Sequence, residues 1–546
     1  MKKKFAILAN LLIAVAILLS ACAPAQPTAA PSEAPAADTT EAAAPEASPA
    51  SEETSPPAAE PAGPTEVIVI QNSDPQTMDP QKPGGSTGGN IAFNLFNGLT
   101  MQSPDMKEVL PSLATEWHAV DDLTWEFKLR EGVKFHNGED FNAEAVKYTV
   151  ERLLMPDTVR DTSSFKNLTE VKIVDDYTVQ LVSQQPDPLL PAKVFGLHIL
   201  PPKYAEEVGE EEFGKHPIGT GAYKLVEFVP NQHIILEANP DYWAGKPAVD
   251  RLVFKPVAEA STRLAELMSG SADIILDVSP EDIPTVESNT DLRIEAVSSK
   301  RVPYIGMDLL PEGPDYLKDV RVRQAMNYAV DVQGIIDALL SGYAERIATI
   351  YRPDFMGYDP DLQPYPYDPD KAKELLAEAG YAEGDISLKI TANSEVIAKG
   401  VEVAEAVAAM LQEVGINAEV NAQSYQGIRD MYIGGQEAHK VDAMWMWNWG
   451  SREPDADSPL SGTLHSTGIT SYYRDPVLDE MIEDARSTID QDERIEKHKA
   501  IQQYIYDQAP AIFLYVANDI YGVNNRVDWT PRRDQYVLGV DMQVNP

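Results

Sequence analysis

The stretch from Ile386 to Val420 constrains the fold more than any other. Ile386 to Ile390 reads as a strand. Val401 to Val414 reads as a helix with Ala404, Ala408 and Leu411 on one face and Gly415 as its stop. Ile416 to Val420 reads as the next strand. Strand, helix and strand at this length make a βαβ unit, so the two strands run parallel and the helix covers the sheet. The same α/β rhythm extends to either side. Asp319 can cap a helix through Val322, Ala325, Met326 and Ala329. Asp368-Pro369 supplies an N-cap with proline at the first helical position, Lys371 to Ala379 the helix body, and Gly380 the stop. Val441 to Trp449 is apolar on both faces, which predicts a central strand.

Nearer the N-terminus, Val67 to Ile70 is a β-branched run followed by Asn72, Asp74 and Pro75, a buried strand ending in a loop. Leu123 to Leu129 alternates around Trp125 and Phe127 as a half-buried strand, and Asn137-Gly138 marks a tight turn. Asn142 caps a helix carrying Val146, Val150, Leu153 and Leu154.

The first residues have a different character. Lys2, Lys3 and Lys4 precede an apolar run over 5–19, and Leu19-Ser20-Ala21-Cys22 follows. A charged start, a short apolar core and small residues before a cut site form a secretion signal over residues 1–21. The run is shorter than the roughly 20 residues that span a bilayer. Cys22 is the single cysteine, so no internal disulfide can form, and its place after Leu-Ser-Ala resembles the bacterial lipobox, which implies lipidation of the thiol. Residues 23–64 hold no Lys, Arg, Leu or aromatic side chain and cannot bury enough apolar surface to fold, so 22–64 reads as a disordered tether. The remaining chain is too long for one ordinary core. A formal charge of −42 argues against nucleic-acid binding, which needs cations to neutralise phosphates. The acid excess is spread along the body and otherwise describes a soluble surface.

Four stretches, in order, resemble the peptide- and nickel-type solute-binding proteins of ABC importers. They are Trp125-Glu126-Phe127-Lys128-Leu129-Arg130 with Gly132 to Gly138; Pro217-Ile218-Gly219-Thr220-Gly221-Ala222-Tyr223 with Asn239-Pro240-Asp241-Tyr242-Trp243; Asp319 to Asp331; and Tyr367-Asp368-Pro369 through Gly380-Tyr381. The resemblance implies a two-lobed periplasmic-binding-protein fold of type II, cluster C, with ligand held between the lobes. Lobe I would be discontinuous, 65–300 plus 515–546, and lobe II would be 301–514. It implies a monomer tethered outside the cytoplasm, in the periplasm where an outer membrane exists, that hands a small ligand, a peptide by default, to ABC permease subunits. No cofactor or metal and no catalysis are expected.

Three of the seven tryptophans, Trp445, Trp447 and Trp449, alternate along one predicted strand and so share a face. Trp445 reads as core. Trp449, at the strand end where open α/β sheets bind ligands, is a ligand candidate, and Trp447 is a candidate for either role. In peptide-binding relatives the following loop opens with an Asp that holds the peptide ammonium. Arg452 stands there in this chain, and a guanidinium repels an ammonium while favouring a carboxylate. Glu453 or Asp455 could restore the missing carboxylate, or could simply pair with Arg452. By family analogy the Asn72-Ser73-Asp74 loop and Tyr304 also line the cleft. The ligand candidates are therefore Trp449, Arg452, Trp447, Tyr304, Ser73 and Asp455. An oligosaccharide remains an alternative ligand, since aromatic faces stack on sugar rings. An extracellular hydrolase is the alternative of another class, although Gly84-Gly85-Ser86-Thr87-Gly88 follows Pro83 as a glycine-rich loop and not as the strained turn of a nucleophile elbow.

Overall fold

The computed structural model describes residues 64–82, 85–155, 163–432, 442–451 and 453–545. Residues 1–63, with the signal, Cys22 and all of the tether but its last residue, lie outside that range. No helix among the described residues is long and apolar enough to cross a membrane.

The local signals act as the sequence predicts. Asn142 accepts hydrogen bonds from the backbone N–H of Glu144 and Ala145 and starts the helix Ala143–Leu153. Asp368 caps Pro369–Glu378 by accepting from Lys371 N–H at 2.9 Å, and Gly380 follows with φ of 92°. The strands Ile386–Ala392 and Ile416–Ala422 pair in parallel, with the helix Gly400–Glu413 between them. That helix buries Val403, Val407 and Leu411, each contributing about 1.5–3 kcal/mol by leaving water. One local expectation fails. Gly85 opens a helix, Gly85–Leu95, where the glycine-rich stretch predicts a loop. Tertiary packing overrides propensity there: Ile91 and Leu95 are buried, and Gly89 lets the ring of Tyr536 lie against the helix where a Cβ would overlap it.

Two large sheets organise the body. The first runs, in order, Leu292–Ser298, Tyr515–Asn524, Ile274–Ile275, Glu66–Gln71, Arg251–Pro256, His233–Ala238 and Tyr223–Val229, with Ala344–Arg346 added beside Tyr515–Asn524. The second runs Ile416–Ala422, Ile386–Ala392, Met444–Gly450, Arg301–Met307 and Ala511–Phe513, so the tryptophan strand is central. The chain passes between the sheets at Ser299-Lys300 and returns at Leu514. A four-stranded antiparallel sheet, Ala114–Asp121, Thr124–Leu129, Thr178–Ser183 and Leu168–Asp175, packs with Ala143–Leu153 around Phe127, Val146 and Leu181.

Two of the family-like stretches meet at His136. Its Nε2–H donates to Gly221 O at 2.9 Å, and its Nδ1 accepts from Gly219 N–H at 3.4 Å, which requires the neutral ring. Gly219 and Gly221 in turn lie so close to the Leu95 and Asn94 carbonyls that a Cβ at either would overlap them. Burial holds His136 down to about 4, with the bond to Gly221 opposing and Lys224 adding to the depression.

The loop after the tryptophan strand is held by a buried ion pair. Arg494 donates to both carboxylate oxygens of Asp455, one bond measuring 2.9 Å, and also to Ala485 O. Both side chains are 1% exposed. Burial raises the Asp455 carboxyl, but Arg494 outweighs it and the net direction is downward.

Two outcomes follow from these contacts. A histidine whose folded value lies below its unfolded 6.5 gives stability that is complete above pH 6.5 and is lost as pH falls toward 4, by up to about 1.4 kcal/mol per unit. Urea melts between pH 7 and 5 should show this fall in the native chain and a shallower one in His136→Gln. Asp455→Ala should cost about 3–5 kcal/mol in the same assay, because it strands the Arg494 charge; an unchanged midpoint would contradict the structural role.

Candidate functional site

Glu66–Gln71, Arg251–Pro256 and Ile274–Ile275 run parallel in the first sheet. Ile386–Ala392 and Met444–Gly450 run parallel in the second. The carboxyl ends of these strands open on one crevice of about 1010 Å³ between the two sheets, where open α/β sheets place ligands.

The wall from the first sheet is acidic and polar. It carries the loop Asn72-Ser73-Asp74, then Asp277 after Ile274–Ile275, then Asp519 on Tyr515–Asn524. Asn72 donates to Asp277 at 3.3 Å, and the Ser73 hydroxyl lies 3.4 Å from that of Thr87. Asp277 adopts a left-handed backbone with φ of 56°, a conformation Asp tolerates better than most residues. Asp519 accepts a hydrogen bond from Gln535. Burial and the neighbouring Asp277 carboxylate push Asp519 up to about 6 against the pull of Gln535 and Lys300. Asp277 opens onto the crevice yet is hemmed in by its walls; burial raises it, and the Arg263 and Arg301 guanidinia do not offset that.

The wall from the second sheet carries Arg301, Asn448 and the segment Ser394 to Lys399. Arg301 makes no side-chain hydrogen bond or ion pair among the described residues. Lys399 reaches across the crevice to Glu281 at 3.1 Å, a half-exposed bridge worth about 0–1 kcal/mol.

Of the residues singled out from the sequence, Ser73 lines this crevice. Arg452 lies outside the described residues. Trp445, Trp447 and Trp449 do share a face, but it is the face turned from the crevice, which Asn448 lines from the opposite side of the strand. The reason is aromatic packing. Trp447 stacks on Tyr432 with centroids 4.8 Å apart, Trp445 meets Tyr432 edge-on at 4.5 Å, and the Trp449 indole lies against Gly462 and donates to Ser458 at 3.3 Å. Tyr304 pairs across the strand with Trp447 and is buried with it; burial pushes its hydroxyl up. Asp455 is taken by Arg494, so it does not supply the carboxylate expected of it. Ser164 and the buried Glu453 bond at 3.0 Å, joining the four-stranded region to this loop. Sequence reasoning missed Asn448, Asp277, Asp519 and Arg301. Alternation offered the first, as the polar residue opposite the tryptophan face, and a lone acid in an otherwise strand-like run offered Asp519.

The comparisons agree with this architecture. The family model for bacterial extracellular solute-binding proteins, family 5 middle region, matches residues 108–471. The glutathione-binding protein GsiB of Escherichia coli is 30% identical over 468 residues, covering 83% of this chain and 89% of that protein. HbpA2 from Haemophilus parasuis superposes with a TM-score of 0.80 at 24% identity, covering 88% of this chain and all of that one. The Helicobacter pylori protein DppA, solved with the peptide STSA, superposes with a TM-score of 0.71 at 22% identity, covering 88% and 99%. The two-lobed fold and the extent of these matches show that the chain belongs to the bacterial extracellular solute-binding proteins of family 5.

Proposed function

We propose that the crevice captures a short peptide carrying free charged termini and that the closed form delivers it to ABC permease subunits. The observation that carries this reading is the crevice itself: about 1010 Å³, large enough for a ligand of several residues, with carboxylates on one wall and Arg301 on the other. The relatives support it, since those named above bind glutathione in one case and a peptide in another. The tryptophans that would offer stacking faces to a sugar are packed in the second sheet's core, so no observation favours the oligosaccharide alternative.

The lobes would be 65–300 plus 515–546 and 301–514, hinged at the two crossings. Closure can be driven only by ligand that binds the closed form better than the open one. Cys22 would carry the lipid and 22–64 would act as the tether, leaving the body free in the extracytoplasmic space. Acyl chains contribute about 0.8 kcal/mol per buried CH₂, and more than one chain is needed for stable anchoring.

Calorimetry of the purified chain against pools of di- to pentapeptides should show binding at micromolar Kd or tighter, roughly −8 kcal/mol, with the peptides recovered uncut. No heat from any pool, or the appearance of cleaved product, would refute the reading. In cells, Cys22→Ser should move the protein from the membrane fraction to the soluble fraction.

A further inference from the structure

The crevice wall of the first sheet gathers negative charge at Asp277 and Asp519 that no ion pair matches among the described residues, and each is raised by burial in spite of the cations near it. Asp519 lies on Tyr515–Asn524 and Asp277 in the loop just after the neighbouring strand Ile274–Ile275, where Ile275 pairs with Gly522 and Val278 N–H donates to Ile520 O at 3.0 Å. The cations near them are otherwise engaged. Arg263 spends its donors on the carbonyls of Val257, Ala258, Leu276 and Asp277, and Lys300 lies over the ring of Tyr536 at 5.3 Å.

A second observation is independent of the acids. Tyr515 lines the same crevice four residues before Asp519 on one strand, is 1% exposed, and its hydroxyl has no hydrogen-bond partner among the described residues. A buried hydroxyl without a partner forgoes the hydrogen bonds it would make in water, and a ligand reaching it would restore one. Across the crevice stands Arg301, whose guanidinium suits a carboxylate through two parallel hydrogen bonds.

We propose that Asp519 and Asp277 form an ammonium subsite on the first-sheet wall, with Tyr515 completing the pocket and Arg301 receiving the ligand's carboxylate from the opposite wall. The ligand then bridges the two sheets by its own dipole. Closure and charge recognition become one event, because the two ends are satisfied together only when the walls approach. This deepens the reading of the crevice as the ligand site and rests on it. The upward direction of both carboxyls agrees, since burial outweighs the cations near them and a bound ammonium would oppose it.

The test uses the purified full chain and a random tripeptide pool in three forms: free, N-acetylated and C-amidated. The free pool should bind. Acetylation should weaken binding by about thirtyfold or more, and amidation by a smaller factor. Asp519→Asn and Asp277→Asn should each weaken the free pool at least about tenfold while leaving the affinity for the acetylated pool unchanged, with melting curves reporting that both variants fold. Equal binding of the free and acetylated pools overturns the subsite without any variant, as does full affinity in both variants. If no tripeptide form binds, the peptide reading fails by itself, and the subsite is judged on spermidine and lysine methyl ester. Binding of either amine that Asp519→Asn removes sustains the subsite, and no binding of either overturns it.

Discussion

The architecture depends on two chain crossings that lie side by side. Leu292–Ser298 pairs antiparallel with Asn518 to Asn524, and Arg301–Met307 pairs antiparallel with Ala511–Phe513. The bond from Ser299 N–H to Ala517 O at 2.8 Å ties the crossings where they leave the first sheet. Two adjacent extended segments resist sliding because their ladder bonds fix the register, but they bend more readily than a packed interface. The sheets therefore keep their alignment, and the proposed hinge lies at these crossings. Arg352 reinforces this point from the second sheet's side: paired with Asp354 in a fully buried site, it also donates to the carbonyls of Lys300 and Ser451, linking one crossing to the loop after the tryptophan strand.

Charge is distributed in two distinct ways around this frame. Several buried ions that serve the fold are matched in pairs, Arg152 with Asp79, Arg352 with Asp354, Arg494 with Asp455 and Arg532 with Asp534, while buried Arg263 and Arg323 are satisfied by backbone carbonyls. A buried pair contributes little net stability but is costly to break, so it fixes position more than it adds energy. Along the crevice the matching is looser. Asp277 and Asp519 stand near each other, and among the described residues Arg301 makes no side-chain hydrogen bond or ion pair and the Tyr515 hydroxyl has no hydrogen-bond partner. On the proposed reading, these are the groups that meet a guest.

The tryptophan strand shows where reading a sequence succeeds and where it stops. Alternation correctly put Trp445, Trp447 and Trp449 on one face, because side chains of a strand point alternately to its two sides. It gave no way to tell which face met the crevice. Tyr432, Tyr472 and the Trp449 neighbour Gly462 decide that, and each comes from a helix or loop whose docking side is set by three-dimensional packing. Ser73 was legible through the resemblance to the family, which placed the Asn72-Ser73-Asp74 loop in the cleft, and it does line the crevice. Asp277 and Asp519 are remote in sequence and become neighbours only when their strands pair.

The sequence by itself determined the α/β class, the helix starts at Asn142, Asp319 and Asp368, the parallel pair at Ile386 and Ile416, the central place of the tryptophan strand and the family. Caps, stops and period-two or period-3.6 patterns are local, and local contacts are written in consecutive residues. Only the tertiary structure decided that the glycine-rich stretch near Gly85 opens a helix, that Asp455 belongs to Arg494, and that Asp277, Asp519, Tyr515 and Arg301 face one another across a crevice. Those outcomes are set by which distant surfaces bury each other, and burial is a property of the whole chain and of no single segment.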